Sequence, residues 1–289
     1  MVIIVDSGST KADWCIVEDG YVLSSVTTQG INPIHQLPEI IMDIVNKQLF
    51  ADSTFCQTLL RSSSKLPIKG YFYGSGCIED KIQVMKAILE GAFADYNVEF
   101  LVYNDLLGAA RATCGMEPGI ACILGTGANS CFYDGERIVE NIPPLGYILG
   151  DEGSGAVLGK HFLNGIFKGW LEPGLKTEFL HWSGLTYPEI IEKVYRQPMA
   201  NKFLASIVPF ISQRVLRNPL LEKMVVNSFR EFLRLNVVPY QKSDLPVNFV
   251  GGVANAFAVQ LFKAIDYEGM VFGKIVHRPV RGLMKYHLE

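Results

Sequence analysis

Near the start of the chain stands Asp6-Ser7-Gly8-Ser9-Thr10-Lys11, an acid followed by small hydroxyl residues around one glycine. Backbone N–H groups there can converge on an anion, because no bulky side chain blocks the approach. The stretch reads as a phosphate cradle, without the G-x-x-x-x-G-K-[ST] pattern or the following helix of a Walker A loop. Asp6 at its base could hold Mg²⁺ through water, as carboxylates do for nucleotide metals. An ordinary hairpin with an incidental acid fits the same residues.

The pattern recurs more than a hundred residues on. Ile120 to Leu124 is an apolar run, Gly125-Thr126-Gly127-Ala128-Asn129-Ser130 a small-residue loop, and Cys131-Phe132-Tyr133 turns at Asp134-Gly135, as the first copy turns at Asp19-Gly20. This suggests a duplicated domain whose loops face each other across a cleft and grip one polyphosphate, unless two hairpins simply coincide. Between the copies, Asn104-Asp105 ends an apolar run. An aspartate fixed at a strand end can accept a proton, and it is also a favoured helix N-cap; both roles can hold at once. Further on, Gly150-Asp151-Glu152-Gly153-Ser154-Gly155 implies close backbone approach, or acids that favour a helix N-terminus. Gly251-Gly252-Val253-Ala254-Asn255 follows a buried run, where a flat ring or sugar could lie on bare backbone, or where a helix start needs tight packing.

Elements that would position these residues follow from periodicity. Val2–Val5, Trp14–Val17 and Tyr21–Val26 read as three meandering strands, and apolar residues from Ile34 to Leu49 recur at helical spacing. Residues 51–67 read as polar and irregular. A strand at Ile68–Tyr73, a helix at Ile78–Phe93, a strand at Val98–Tyr103 and a short helix at Leu106–Thr113 complete a first domain, 1–116. A second, 117–289, carries helices over about 156–240, a strand at Val247–Val250, a helix to about Ile265, and a last strand at Lys274–His277 before a short tail. Meander followed by β-α-β units gives an α/β fold with a mixed sheet and helices on its faces.

The 289 residues suggest two domains, and with 49% apolar residues both can have cores. A net charge of −3 with scattered Lys and Arg argues against nucleic-acid or membrane-surface partners. Six cysteines without a C-x-x-C pair read as reduced thiols of a cytoplasmic protein. No leader or membrane span is expected, and the final Leu288-Glu289 reads as a cloning remnant. The five histidines show no metal-ligand spacing.

Taken in order, the 6–11 loop, Asn104-Asp105, Gly125-Thr126-Gly127, the G-D-E-G-S block at 150–154 and the 251–255 motif resemble the N-acetylglucosamine kinase family. Its relatives include activator ATPases of 2-hydroxyacyl-CoA dehydratases, within the sugar kinase, actin and heat-shock chaperone superfamily. The resemblance implies two ribonuclease H-like, actin-like ATPase domains with mixed five-stranded sheets flanked by helices and a cleft between them. It implies ATP and Mg²⁺ as cofactors, with phosphate contacts from Ser7, Gly8, Ser9, Thr10, Lys11, Gly125, Thr126 and Gly127, and Asp6 toward the metal. Gly251, Gly252 and Asn255 match the adenosine motif, Asp105 the catalytic base, and Asn32 and Asp151 the sugar-hydroxyl contacts, which Ser75 or Asn104 could join. Where relatives acting on N-acetylglucosamine carry an aromatic residue, this chain has Leu145. A zinc motif of another bacterial sugar-kinase family is absent, so no structural zinc is expected. The expected activity is phosphorylation of an amino sugar, N-acetylglucosamine or a related N-acetylhexosamine, by a homodimer. The alternatives are an activator ATPase with an iron–sulfur cluster at a dimer interface, or a nucleotide-dependent binding protein.

Overall fold

The computed structural model describes residues 1–61 and 67–288. The chain divides into two compact units: Met1–Met116 together with the chain from Arg278 onward, and Glu117–His277. In the first unit β1 (Val2–Ser7), β2 (Lys11–Glu18) and β3 (Tyr21–Gln29) form an antiparallel meander. On the other side of β1 lie β4 (Ile68–Gly74) and β5 (Val98–Asn104), both parallel to it, giving the order β3-β2-β1-β4-β5. Helices α1 (Pro38–Ile44), α2 (Ser53–Arg61), α3 (Asp80–Ala92) and α4 (Asp105–Cys114) accompany the sheet.

The second unit repeats that plan. A meander of β6 (Gly119–Leu124), β7 (Ala128–Tyr133) and β8 (Ile138–Glu140) leads into α5 (Gly146–Leu149), α6 (Gly155–Lys168), α7 (Gly174–Ser183), α8 (Tyr187–Tyr195), α9 (Ala200–Ala205), α10 (Val208–Ser212) and α11 (Pro219–Asn236). Then come β9 (Val247–Val250), α12 (Gly252–Ala256), α13 (Ala258–Tyr267) and β10 (Phe272–Val276). Its sheet runs β10-β9-β6-β7-β8, the parallel strands β9 and β10 again lying beyond the first strand of the meander. Both units therefore have the ribonuclease H-like topology of actin-like ATPases, and the repeated hairpins occupy equivalent places in it.

Alternation along β1 shows how the first unit builds two apolar layers. Ile3 and Val5 join Trp14, Phe72 and Phe93 in the layer under α1, α2 and α3, while Ile4 joins Tyr73 and Ala112 in the layer on the opposite face. Both layers are needed, since a sheet half built of parallel strands must be covered on both sides.

Several sequence expectations change. The helix foreseen from Ile34 starts only at Pro38, because Leu37 precedes a proline and is extended, and it ends in a π-helical turn over Val45–Leu49. The stretch expected to be irregular contains α2, which buries Phe55, Thr58 and Leu59; residues 62–66 of that expectation lie outside the described residues. The tail expected after the last strand is a helix, α14 (Val280–Leu288), which buries Val280 and Leu283 in the first unit. Its return there departs from the expectation that all residues after 117 form the second domain.

Candidate active site

In the first unit the candidate residues gather at the carboxyl ends of β1, β4 and β5, where Ser7, Gly74 and Asn104 lie in one row of the sheet. Ligands of open α/β sheets bind at such strand ends. Asp6 falls on the Ile4 face of β1, beneath α4. It is half-buried, and its carboxyl is pushed up to about 7, first by burial and then by the charges of Asp105 and Asp13, against the opposing Lys11. Asp13 stands directly opposite Asp6 on β2. Burial would raise Asp13 too, but hydrogen bonds from Lys11 Nζ (2.8 Å) and Thr27 Oγ1 (2.7 Å) prevail and hold it below the usual carboxylate range.

Asn104, not Asp105, caps α4: its Oδ1 accepts the Leu107 N–H at 2.7 Å. Asp105 is the first helical residue, its carboxylate left out of the cap's side-chain hydrogen bond. Burial pushes it up to about 6, against the stabilising N–H groups of Leu106 and Asp105 itself. Two half-buried carboxylates of raised pKa therefore share one face at the sheet end, as titratable groups of functional sites often do.

The first loop is shorter than the motif, since Lys11 already belongs to β2. Ser7 is wholly buried, and its hydroxyl donates to the Ile31 carbonyl (3.1 Å) while accepting the Ile31 N–H (3.0 Å). The hydroxyl thereby ties the loop to the turn after β3. Gly30 N–H donates to the Thr10 carbonyl at 3.1 Å, and a Cβ on Gly30 would collide with the Gly8 carbonyl. A Cβ on Gly8 would meet nothing closer than Lys11 O at 3.9 Å, so no internal packing demands glycine there. The bare backbone at Gly8 borders open space.

Asn32 and Ser75 are brought together, Nδ2 donating to Oγ at 3.3 Å. Asn32 Oδ1 accepts the Ile34 N–H (2.9 Å), and the Asn32 N–H donates to Gln36 Oε1 (2.7 Å), whose Nε2 donates to the Gly30 carbonyl. Asn32 is thus held from both sides. Gln36 and Asp13 were missed from sequence. Only the seven-residue offset from Asp6 across a tight hairpin could have pointed to Asp13.

In the second unit Gly125-Thr126-Gly127 closes the β6–β7 hairpin, with Gly125 N–H donating to Gly127 O at 3.0 Å. The Gly155 and Ala156 N–H groups at the start of α6 donate to the carbonyls of Gly125 (2.8 Å) and Thr126 (3.1 Å). Ser154 is the cap of α6, so neither Asp151 nor Glu152 performs that task. Asp151, in a left-handed conformation at φ 56°, sets its carboxylate against Gly127 and accepts the Ala128 N–H. Burial pushes it up to about 6. Glu152 accepts from Asn236 Nδ2 at 3.0 Å.

The 251–255 motif lies beside that loop, since Val250 pairs with Ile123. Gly251 has φ 119° and packs on the Leu124 carbonyl with no room for a Cβ, whereas Gly252 borders open space and Asn255 is exposed. The helix it opens is a single turn, α12, broken at Phe257. Leu145, at φ 63°, is exposed with Ile148 and Leu149 around α5.

The residues can accommodate a nucleotide-bound divalent ion. Asp6 has carboxylate neighbours, and the nearby Lys11 amine is engaged by Asp13, so added positive charge would relieve it. Among the described residues no three His, Cys, Asp or Glu side chains form a metal cage. Nor is any helix among them long and apolar enough to cross a membrane.

No family model matches the chain. Over 183 residues it is 25% identical to an N-acetylmuramic acid/N-acetylglucosamine kinase of Clostridium acetobutylicum, covering 59% of this chain and only 60% of that protein's length. A solved Chromobacterium violaceum protein, provisionally named an N-acetylglucosamine kinase, shares the fold at 17% identity and TM-score 0.72, over 99% of each chain. Another, from Porphyromonas gingivalis and provisionally named in the same way, is 43% identical over 99% of this chain and 98% of its own, with TM-score 0.93. Full-length similarity at that level, on an actin-like fold with the same strand order in both units, means that this chain belongs to the N-acetylglucosamine kinase family of sugar kinases.

Proposed function

We propose that the chain transfers the γ-phosphate of Mg-ATP to a hydroxyl of an N-acetylhexosamine, with N-acetylglucosamine the first candidate and Asp105 the general base. The observation that carries this reading is the Asp105 carboxylate. Asn104 does the capping, so Asp105 remains at the strand end with a pKa of about 6, mostly ionised at neutral pH and still basic enough to take a proton. Names of the relatives support the sugar class.

Phosphoryl transfer depends mainly on positioning and on neutralising charge. The backbone of Gly8, Ser9 and Thr10 would receive phosphate oxygens, with Ser7 holding the loop and Lys11 supplying positive charge from its place beside Asp13. Asp6 would hold Mg²⁺ through water, and the ion would supply charge neutralisation on the phosphates. In the second unit Gly125, Thr126 and Gly127 would contact phosphate, and Gly251, Gly252 and Asn255 adenosine. Asn32, Ser75, Asn104 and Asp151 would orient sugar hydroxyls; Asn104 keeps its amide donors free for this while its oxygen caps α4. The activator-ATPase reading gains little support, since Cys122 and Cys131 are wholly buried and cannot reach a surface cluster.

ADP release from Mg-ATP, measured with N-acetylglucosamine, N-acetylmannosamine, N-acetylmuramic acid, glucose or no acceptor, tests the proposal. Strong stimulation by one N-acetyl sugar is expected. Equal release with every acceptor and with none would sink it.

A further inference from the structure

The aromatic cluster at the far end of α4 has no part in the chemistry above. Arg111, in the last turn of α4, donates from Nη1 to Tyr73 OH at 2.9 Å. A guanidinium can only donate, so the Tyr73 oxygen accepts from Arg111, and the same hydroxyl is hydrogen-bonded to His287 Nε2, 2.8 Å away on α14. The His287 ring stacks on Tyr71 at 3.7 Å, and the Arg111 guanidinium faces the rings of Tyr103 (4.6 Å) and Tyr286 (4.8 Å). Among the described residues no carboxylate pairs with Arg111, and its Nε is buried without a partner.

Two glycines bring α4 into close contact with its neighbours at the same level. A Cβ on Gly108 would press into Tyr73 at 2.9 Å, and one on Gly282 of α14 would strike the Ala112 backbone. α4 is therefore gripped between β4 and α14, and the planar fork of Arg111 fixes its rotation about its own axis. A half-buried cation with one buried, unpartnered N–H is a costly way to fill space, whereas its directional bonds specify geometry. The opposite end of this ten-residue helix carries Asp105.

We propose that Arg111, Tyr73 and His287 are positioning residues, a relay through which α14 sets the orientation of α4 and so of the Asp105 carboxylate. The inference rests on Asp105 being the base, because a misplacement of about 1 Å at a reacting group can cost a hundredfold in rate. Asp105 itself keeps its cap and its neighbours; the relay acts on the helix that carries them.

The test compares the full-length protein with His287→Ala, His287→Gln and Tyr73→Phe. One readout is amide exchange over residues 104–110, which needs no catalytic activity. The others are kcat and KM for Mg-ATP with the stimulating sugar. His287→Ala and Tyr73→Phe are expected to speed exchange in the first turn of α4 about tenfold. They should lower kcat about tenfold with KM for Mg-ATP within about twofold, while His287→Gln, which keeps a hydrogen-bond partner for Tyr73, recovers most of both. Exchange at 104–110 that stays at the wild-type rate, a change confined to 280–288, or a Gln variant as impaired as Ala would each overturn the relay. Should His287→Ala not fold, Tyr73→Phe and His287→Gln decide between the same outcomes. A wild-type protein that no sugar stimulates would refute the kinase reading, and the exchange rates alone would then decide the relay.

Discussion

Asp105 owes its availability to the residue before it. With Asn104 satisfying the Leu107 N–H, the Asp105 carboxylate keeps its basicity instead of being consumed as a cap. Asp105→Asn is expected to lower kcat by about 10²–10⁴-fold while leaving nucleotide affinity unchanged, as read by steady-state rates and an ATP titration. The proposed base works deprotonated and its pKa is about 6, so kcat in the wild type should rise with pH through about 6 and then level. Asp6 carries a cost of the opposite kind. Its folded pKa of about 7 lies above its ordinary 3.8, so between these values the folded state binds more protons than the unfolded one, and stability falls as pH rises. Asp6→Asn should therefore melt higher than wild type at pH 8, by about 1 kcal/mol after allowing for partial exposure, and equally at pH 3.5. A variant no more stable at pH 8 would count against a strained carboxylate at this position.

Among the elements, the opening hairpin gains its shape only in company with the turn at 30–36. Ser7, Gly30 and Gln36 weld the two together, so the loop proposed for phosphate and the Asn32 turn proposed for sugar form one piece. Gly30→Ala would drive a methyl group into the Gly8 carbonyl and displace both. Its expected signature is a joint rise in KM for ATP and for sugar, where a lesion of one subsite would raise only one. Removing the cap with Asn104→Ala should cost about 1 kcal/mol in urea unfolding and also loosen the start of α4.

For the whole molecule, the distinctive feature is that the chain leaves the first unit after Met116 and returns to it at Arg278. The returning α14 is stapled by His287. Burial and the Arg111 charge push that imidazole down to about 4, so the folded state binds fewer protons than the unfolded one, whose histidine titrates near 6.5. The stability it contributes is complete above about 6.5 and is lost as pH falls toward 4. Thermal melts of wild type against His287→Gln between pH 7 and 4.5 should show the steeper loss in wild type, by about 1–2 kcal/mol after discounting for partial exposure. Parallel curves would remove His287 from the account.

The local code carried a large share of this molecule. Apolar runs ending at Asp6 and Asn104, glycine loops at 8, 125–127 and 251–252, and the Asp-Gly turns were legible because strand periodicity and glycine chemistry act over a few residues. The duplicated plan followed from reading the two hairpins side by side. Contacts distant in sequence decided the rest. The Ser7 hydroxyl bonds to Ile31, which no local pattern announces, and the apolar faces of α2 and α14 are held in place because Phe55, Leu59 and Leu283 find a sheet to cover. Asp13 on Lys11, Asp151 against Gly127, and His287 reaching Tyr73 from more than two hundred residues away belong to the same class. Each depends on which surface the folded chain presents to that side chain, a quantity that no window of sequence contains.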